Sequence, residues 1–256
     1  LTAQPNLSLV ETLHLAADAL ADDSLLEDDK GRPYFGTATH FLSYNWRTPF
    51  VEVVAAVQQA IQKKQHSGKV YLWMDIFAIT QNNHIETARH NKSVDIKGID
   101  DVSRDCGATW QVAAPWRDPT VFHRVWCLYA AFLALQAGNE FKLIMSPLEE
   151  RSFRNDLVHN FDALLKAVTD IDLEQAEATR AKDKDWIFGK VRQSDLGFSG
   201  VNRVISTEFR QWLEAAGKAS LEMDPENLVL VDGVCGLLHD QGKFDEAEPL
   251  LRHAAE

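Results

Sequence analysis

The sequence predicts an α/β protein, a mostly parallel sheet flanked by helices, followed by an all-helical tail. Three observations predict it. Short β-forming runs alternate with helix-forming stretches from about residue 37 to residue 147. No strand pattern follows residue 147. Residues 227–255 read as two helices split by Gln241-Gly242-Lys243-Phe244. Alternation of this kind gives crossover connections, and crossovers pair strands in parallel with helices on both faces.

The elements follow in order. Leu9 to Leu26 is apolar at helical spacing, with an acidic far end at Asp22, Asp23, Glu27, Asp28 and Asp29. It predicts one or two short helices and a loop at Gly31-Arg32-Pro33. Thr39 to Tyr44 is a dense β-forming run, as in a buried strand. A helix opens at Thr48 or Pro49 and carries Phe50, Val53, Val54, Val57 and Ile61 as one apolar stripe, ending at His66-Ser67-Gly68. Val70 to Asp75 is a second strand, and Ile76 to Ser93 is a polar loop. A helix follows from Val94 to about Arg104, with Ile96, Ile99 and Val102 inward. Thr109 to Ala114 is a third strand, broken by Pro115-Trp116-Arg117-Asp118-Pro119. Val121 to Gln136 is helical, with Gly138 as its stop, and Phe141 to Met145 is a fourth strand. Beyond it, Phe153–Thr169, Glu174–Ala181 and Val201–Ala216 are helical by composition, interrupted at Gly197-Phe198-Ser199-Gly200.

Composition narrows the function classes. Hydrophobic residues make 45% and charged residues 25% of the 256, an ordinary globular balance. No apolar run approaches the ~20 residues needed to span a bilayer. The stretch Leu1 to Pro5 lacks both an initiator Met and a signal pattern, so the chain reads as an excised or processed piece of a soluble protein. A net charge of −12 disfavours nucleic acid and anionic membrane as partners. Three dispersed cysteines, Cys106, Cys127 and Cys235, form no CxxC pair and point to a reducing, cytoplasmic setting. His84 and His90 lack a third ligand and predict no metal site. No GxGxxG, P-loop or GxSxG pattern occurs.

Three stretches together resemble a TIR (Toll/interleukin-1 receptor homology) domain. Phe41-Leu42-Ser43-Tyr44 resembles the family's opening strand. Trp73-Met74-Asp75-Ile76-Phe77 resembles its second strand and the acidic start of the loop after it. Arg124-Val125-Trp126-Cys127-Leu128 is similar to the W-C-L segment of plant-type members. The match covers about residues 37–147, and the long Pro115-to-His123 loop is closer to TIR-like domains fused to repeat arrays. Leu237 to Leu251 resembles a tetratricopeptide repeat of the kinesin-light-chain style, with Gly242 in the turn and Phe244 and Ala247 as interlocking large and small residues. One repeat does not bury its own apolar face, so an array continuing past Glu256 is expected. The chain then divides into a helical extension (1–36), a flavodoxin-like TIR core (37–147), a helical linker (148–225) and a first repeat (226–256).

The resemblance implies an NAD glycohydrolase of immune or stress signalling, releasing nicotinamide and leaving ADP-ribose or a cyclic product. It implies no cofactor beyond NAD as substrate. Its partners would be other copies of the same domain and proteins reached through the repeats. The implied NAD-binding residues are Tyr44, Asn45, Trp46, Arg47, Asp75, Ile76, Phe77 and Trp126. Arg47 suits a pyrophosphate and Trp46 a base, while Asp75 suits a ribose hydroxyl or caps the next turn. Cleavage passes through an oxocarbenium-like transition state that a carboxylate stabilises. The family places that carboxylate in W-C-L-x-E; here Ala130 occupies the position, one helical turn after Trp126. A methyl neither accepts a hydrogen bond nor carries charge, so an inactive chain is expected, by natural loss or by an engineered Glu→Ala change. A non-enzymatic TIR adaptor working by self-association is the alternative. A phospho-acceptor receiver is disfavoured, since no acidic cluster ends the first strand. Packing roles are expected for Trp116, His123 and Cys127.

Overall fold

The computed structural model describes residues 7–20, 26–63, 68–79, 92–117 and 120–254, and side chains of 92–97 lie outside that description. The expected helix end at His66-Ser67, the pair His84 and His90, and most of the polar loop fall outside the described residues. A first helix, α1 (Leu9–Leu20), buries Ala16 and Ala17. Strand β1 (His40–Ser43) is buried throughout, as its dense β-forming run predicts. Helix α2 (Phe50–Lys63) returns the chain to β2 (Leu72–Trp73), which is shorter than the expected run because Asp75 already opens a short helix, α3 (Asp75–Ala78). Helix α4 (Lys92–Asp105) leads to β3 (Ala108–Val112), α5 (Val125–Ala137) and β4 (Glu140–Ile144).

The four strands pair in parallel in the order β2-β1-β3-β4. Register aligns His40 with Leu72 and Ala108, and Ala108 with Glu140. The chain leaves β1 toward β2, then crosses back to β3, so the direction of winding reverses between β1 and β3. One sheet face carries Leu42, Trp110, Val112 and Ile144 against Val53, Ala56 and Ala60 of α2. The opposite face meets α5, with Phe41 against Ala130 and Ile99. The α/β sheet with helices on both faces is therefore as the alternation predicts.

The stripe on α2 is not as predicted. Its buried residues are Val53, Ala56 and Ala60, while Phe50, Val54 and Ile61 are exposed. The sheet approaches closely enough to select the small side chains, and the larger ones are turned outward. Helix α5 also starts later than expected. A 3-10 turn at Thr120–Phe122 precedes it, and Gly138 ends it in the left-handed conformation.

Six helices complete the described chain: α6 (Pro147–His159), α7 (Phe161–Thr169), α8 (Ala181–Gln193), α9 (Gly197–Leu221), α10 (Leu228–Asp240) and α11 (Phe244–Ala254). These helices depart from the expected ones at three places. Phe153–Thr169 is two helices broken at Asn160, not one. Residues 174–180 are not helical; the helix begins only at Ala181, and Glu177 instead bridges Arg124, the residue before α5. Gly197–Gly200 does not interrupt a helix but forms the first turn of α9. The α10–α11 turn falls where expected, with Gly242 at φ 72°. A single apolar cluster runs from Ala113 through α5, α7, α8 and α9 to Ala247 in α11.

Candidate functional site

Parallel α/β sheets bind ligands beyond the carboxyl ends of their strands, at the point where the winding reverses. That point lies between β1 and β3. The sequence-predicted residues converge beside it. The Tyr44 hydroxyl donates to Asp75 Oδ1 at 3.1 Å, and the Trp46 indole N–H donates to Asp75 Oδ2 at 2.7 Å. The Ile76 backbone N–H also donates to Asp75 Oδ1, at 2.7 Å. Thus the loop after β1 is tied to the start of α3 through one carboxylate. Burial raises the Asp75 pKa above the usual carboxylate range, and the bonds from Trp46 and Tyr44 offset only part of that. Burial and the neighbouring Asp75 charge likewise push the Tyr44 phenol upward.

With both Asp75 oxygens accepting, its first task is to hold Tyr44 and Trp46. The Trp46 ring, anchored by its N–H, remains 64% exposed and offers an open aromatic face. Arg47 is exposed beside it. Asn45 is buried and turns the loop, its Oδ1 accepting from the Arg47 backbone N–H at 3.0 Å. Phe77 is half-buried against the α2 side of the sheet and meets Phe50 edge-on at 6.1 Å, while Ile76 is exposed.

Trp126 and Ala130 lie on α5, against Phe41 of β1 and Trp73 of β2. The Trp126 indole N–H donates to Asp183 Oδ2 at 3.2 Å, and its ring stacks on Trp186 at 5.8 Å. Both partners belong to α8, in a stretch whose sequence shows no motif. Trp186 also meets Tyr129 edge-on at 5.9 Å, and the Tyr129 hydroxyl donates to the buried Asp100 at 3.1 Å. Lys190 of α8 donates to the same Asp100 at 2.9 Å. Trp126 is therefore committed to α8 rather than to the Tyr44–Trp46–Asp75 group. Ala130 is 5% exposed and packs among Phe41, Ile99 and Cys106.

Sequence reasoning missed two polar groups at the reversal point. Gln111, at the carboxyl end of β3, is fully buried with both amide atoms lacking a hydrogen-bond partner. Its register neighbour on β1 is the buried Ser43. Burial pushes the Cys127 thiol up to about 11, so it is a packed thiol and not a nucleophile. A polar residue within a β-forming run was the only available signal for Gln111. Trp116 is buried against Phe153 at 4.5 Å, and the His123 side chain is exposed. Among the described residues no group of three or more His, Cys, Asp or Glu is arranged to hold a metal ion, and no helix is long and apolar enough to cross a membrane.

Comparison with protein-family models, with curated proteins and with solved structures finds no match to this chain. The class defined by the described residues is an α/β protein with a four-stranded parallel sheet and a helical C-terminal half.

Proposed function

We propose that this chain is a TIR-like NAD glycohydrolase module that, with Ala130 in place of the family's glutamate, binds NAD without cleaving it. The observation that carries the reading is the meeting of Tyr44, Trp46 and Asp75 at the carboxyl ends of β1 and β2. The open Trp46 face suits stacking by a nicotinamide or adenine ring, and Arg47 suits a pyrophosphate. The unpartnered Gln111 amide adds a polar demand at the sheet's reversal point.

Restoring the carboxylate tests the enzyme reading. Ala130→Glu places an acid among Phe41, Ile99 and Cys106, so a stability loss of roughly 1–3 kcal/mol is expected. NAD consumption, followed by nicotinamide release, should appear in the folded variant and be absent in the parent. A folded Ala130→Glu chain that stays inert overturns the enzyme reading. A Trp46→Ala chain that binds NAD as the parent does overturns the binding site.

One observation favours a second reading, an adaptor acting by self-association. Phe50, Val51, Val54 and Ile61 leave an exposed apolar stripe along α2, with Val51 71% exposed. Concentration-dependent light scattering that Val54→Lys abolishes, without any NAD binding, is the outcome that selects it.

A further inference from the structure

We infer that Gln111 reads the carboxamide of nicotinamide, and with it the difference between NAD and its nicotinic acid counterpart; this role rests on the NAD-binding module proposed above. Phe41 of β1 packs against Ala130 of α5, and side chains alternate along a strand, so Ser43 shares the α5 face with Phe41. Register pairs Gln111 of β3 with Ser43 and Thr109 with Phe41, while Trp110 and Val112 face α2. A buried parallel strand ordinarily offers a covering helix apolar side chains. Here the row is polar: Ser43 is 7% exposed, and Thr109 and Gln111 are 0% exposed. Both amide atoms of Gln111 and the Thr109 hydroxyl have no hydrogen-bond partner. The start of α5 is also close to the Asp75 group, since the charges of Arg124 and Asp75 both act on the Cys127 thiol.

Chemistry selects the group that Gln111 takes. A free primary amide offers two N–H donors and a carbonyl acceptor in one plane. Its complement is a second primary amide, paired head to tail through two parallel N–H···O=C bonds. The nicotinamide of NAD carries such a carboxamide. Nicotinic acid carries a carboxylate, which only accepts, so the Gln111 carbonyl would face an oxygen and a buried negative charge would stand near Asp75. A site built on a buried hydrogen-bonding group rejects the analogue that leaves the group unpaired. Nicotinamide at Gln111 also lies on the sheet face that carries Ala130, and leaves the open Trp46 ring to adenine. Because Gln111 is fully buried, a ligand reaches it only when the packing over it opens. An amide held without a partner in a closed core costs stability, a cost that binding sites retain.

Isothermal titration calorimetry on the whole chain tests this with NAD, nicotinic acid adenine dinucleotide and nicotinamide hypoxanthine dinucleotide. The parent should bind NAD about tenfold or more tighter than the nicotinic acid form. Gln111→Leu, of similar volume, should bring the two affinities to within about twofold by weakening NAD binding. It should also raise Tm, because it removes an unpartnered amide from the core. Gln111→Met, unbranched like glutamine, must give the same result. Thr109→Val removes an unpartnered hydroxyl from the same row and should keep the parent's ratio. Equal binding of NAD and the nicotinic acid form by the parent, an unchanged ratio in Gln111→Leu and Gln111→Met, an equal loss of the ratio in Thr109→Val, or melting no higher than the parent overturns the role of Gln111 and leaves NAD binding standing. A preference for NAD over the hypoxanthine form that Gln111→Leu removes also overturns it, by assigning the amide to adenine. A parent that binds none of the three overturns the NAD-binding module itself, and the role of Gln111 with it.

Discussion

At the scale of single residues, Asp75 shows how one carboxylate organises a loop. Tyr44 and Trp46 follow β1 and Asp75 follows β2, so only the parallel pairing of those strands brings the three together. Burial raises the Asp75 pKa, so the folded state favours its neutral form more than the unfolded chain does. Its contribution to stability is then fully present below the unfolded aspartate value, about 3.9, and is lost as pH rises through the raised folded value. Asp75→Asn removes this titration and keeps an oxygen to accept one donor. The difference in Tm between Asp75→Asn and the parent should be more positive at pH 7 than at pH 3.5. Thermal melts at the two pH values check this, and an equal difference at both contradicts it. The motif residues of this cluster were legible in the sequence as a strand end and an acidic loop start. Gln111 and the α8 partners of Trp126 were not, because burial and long-range contact leave no local pattern.

At the scale of elements, the helical half is held by close approach. A Cβ on Gly233 of α10 would lie 2.2 Å from Phe161 of α7, and one on Gly217 of α9 would lie 2.5 Å from Val234 of α10. Phe161 thus wedges where three helices converge, and two glycines make the room. Gly233→Ala should destabilise the chain by about 2 kcal/mol, since overpacking forces backbone or rotamer shifts. Urea unfolding measures it, and an unchanged midpoint contradicts the wedge. The α9–α10–α11 arrangement is further clasped by Glu214, which is buried and accepts from Lys218, Gln241 and Lys243. Helical periodicity could locate the α10–α11 pair and its turn. It misjudged α2, where the sheet selects Ala56 and Ala60 over the larger Phe50 and Ile61.

At the scale of the whole molecule, the apolar cluster from Ala113 to Ala247 joins the α/β half to the helical half. Phe141 of β4 and Phe122 both pack on Phe209 of α9, at 5.6 and 4.7 Å. A chain cut after residue 225 loses Leu230, Val231, Val234, Leu237 and Leu238 from that cluster. It should melt several degrees lower than the whole chain and bind a hydrophobic dye such as ANS. A truncated chain with the same Tm and no dye binding would show that the two halves are stabilised independently. The sequence by itself determined the parallel α/β half, the helical tail and the α10–α11 turn. Those depend on local backbone preference and on periodicity, which neighbouring residues carry. The tertiary structure alone decided that Asp75 is occupied by Tyr44 and Trp46, that Trp126 belongs to α8, and that Ala130 sits in an apolar cluster. Those depend on which distant side chains share one packed interior, and such contacts are fixed only when the layers close on each other.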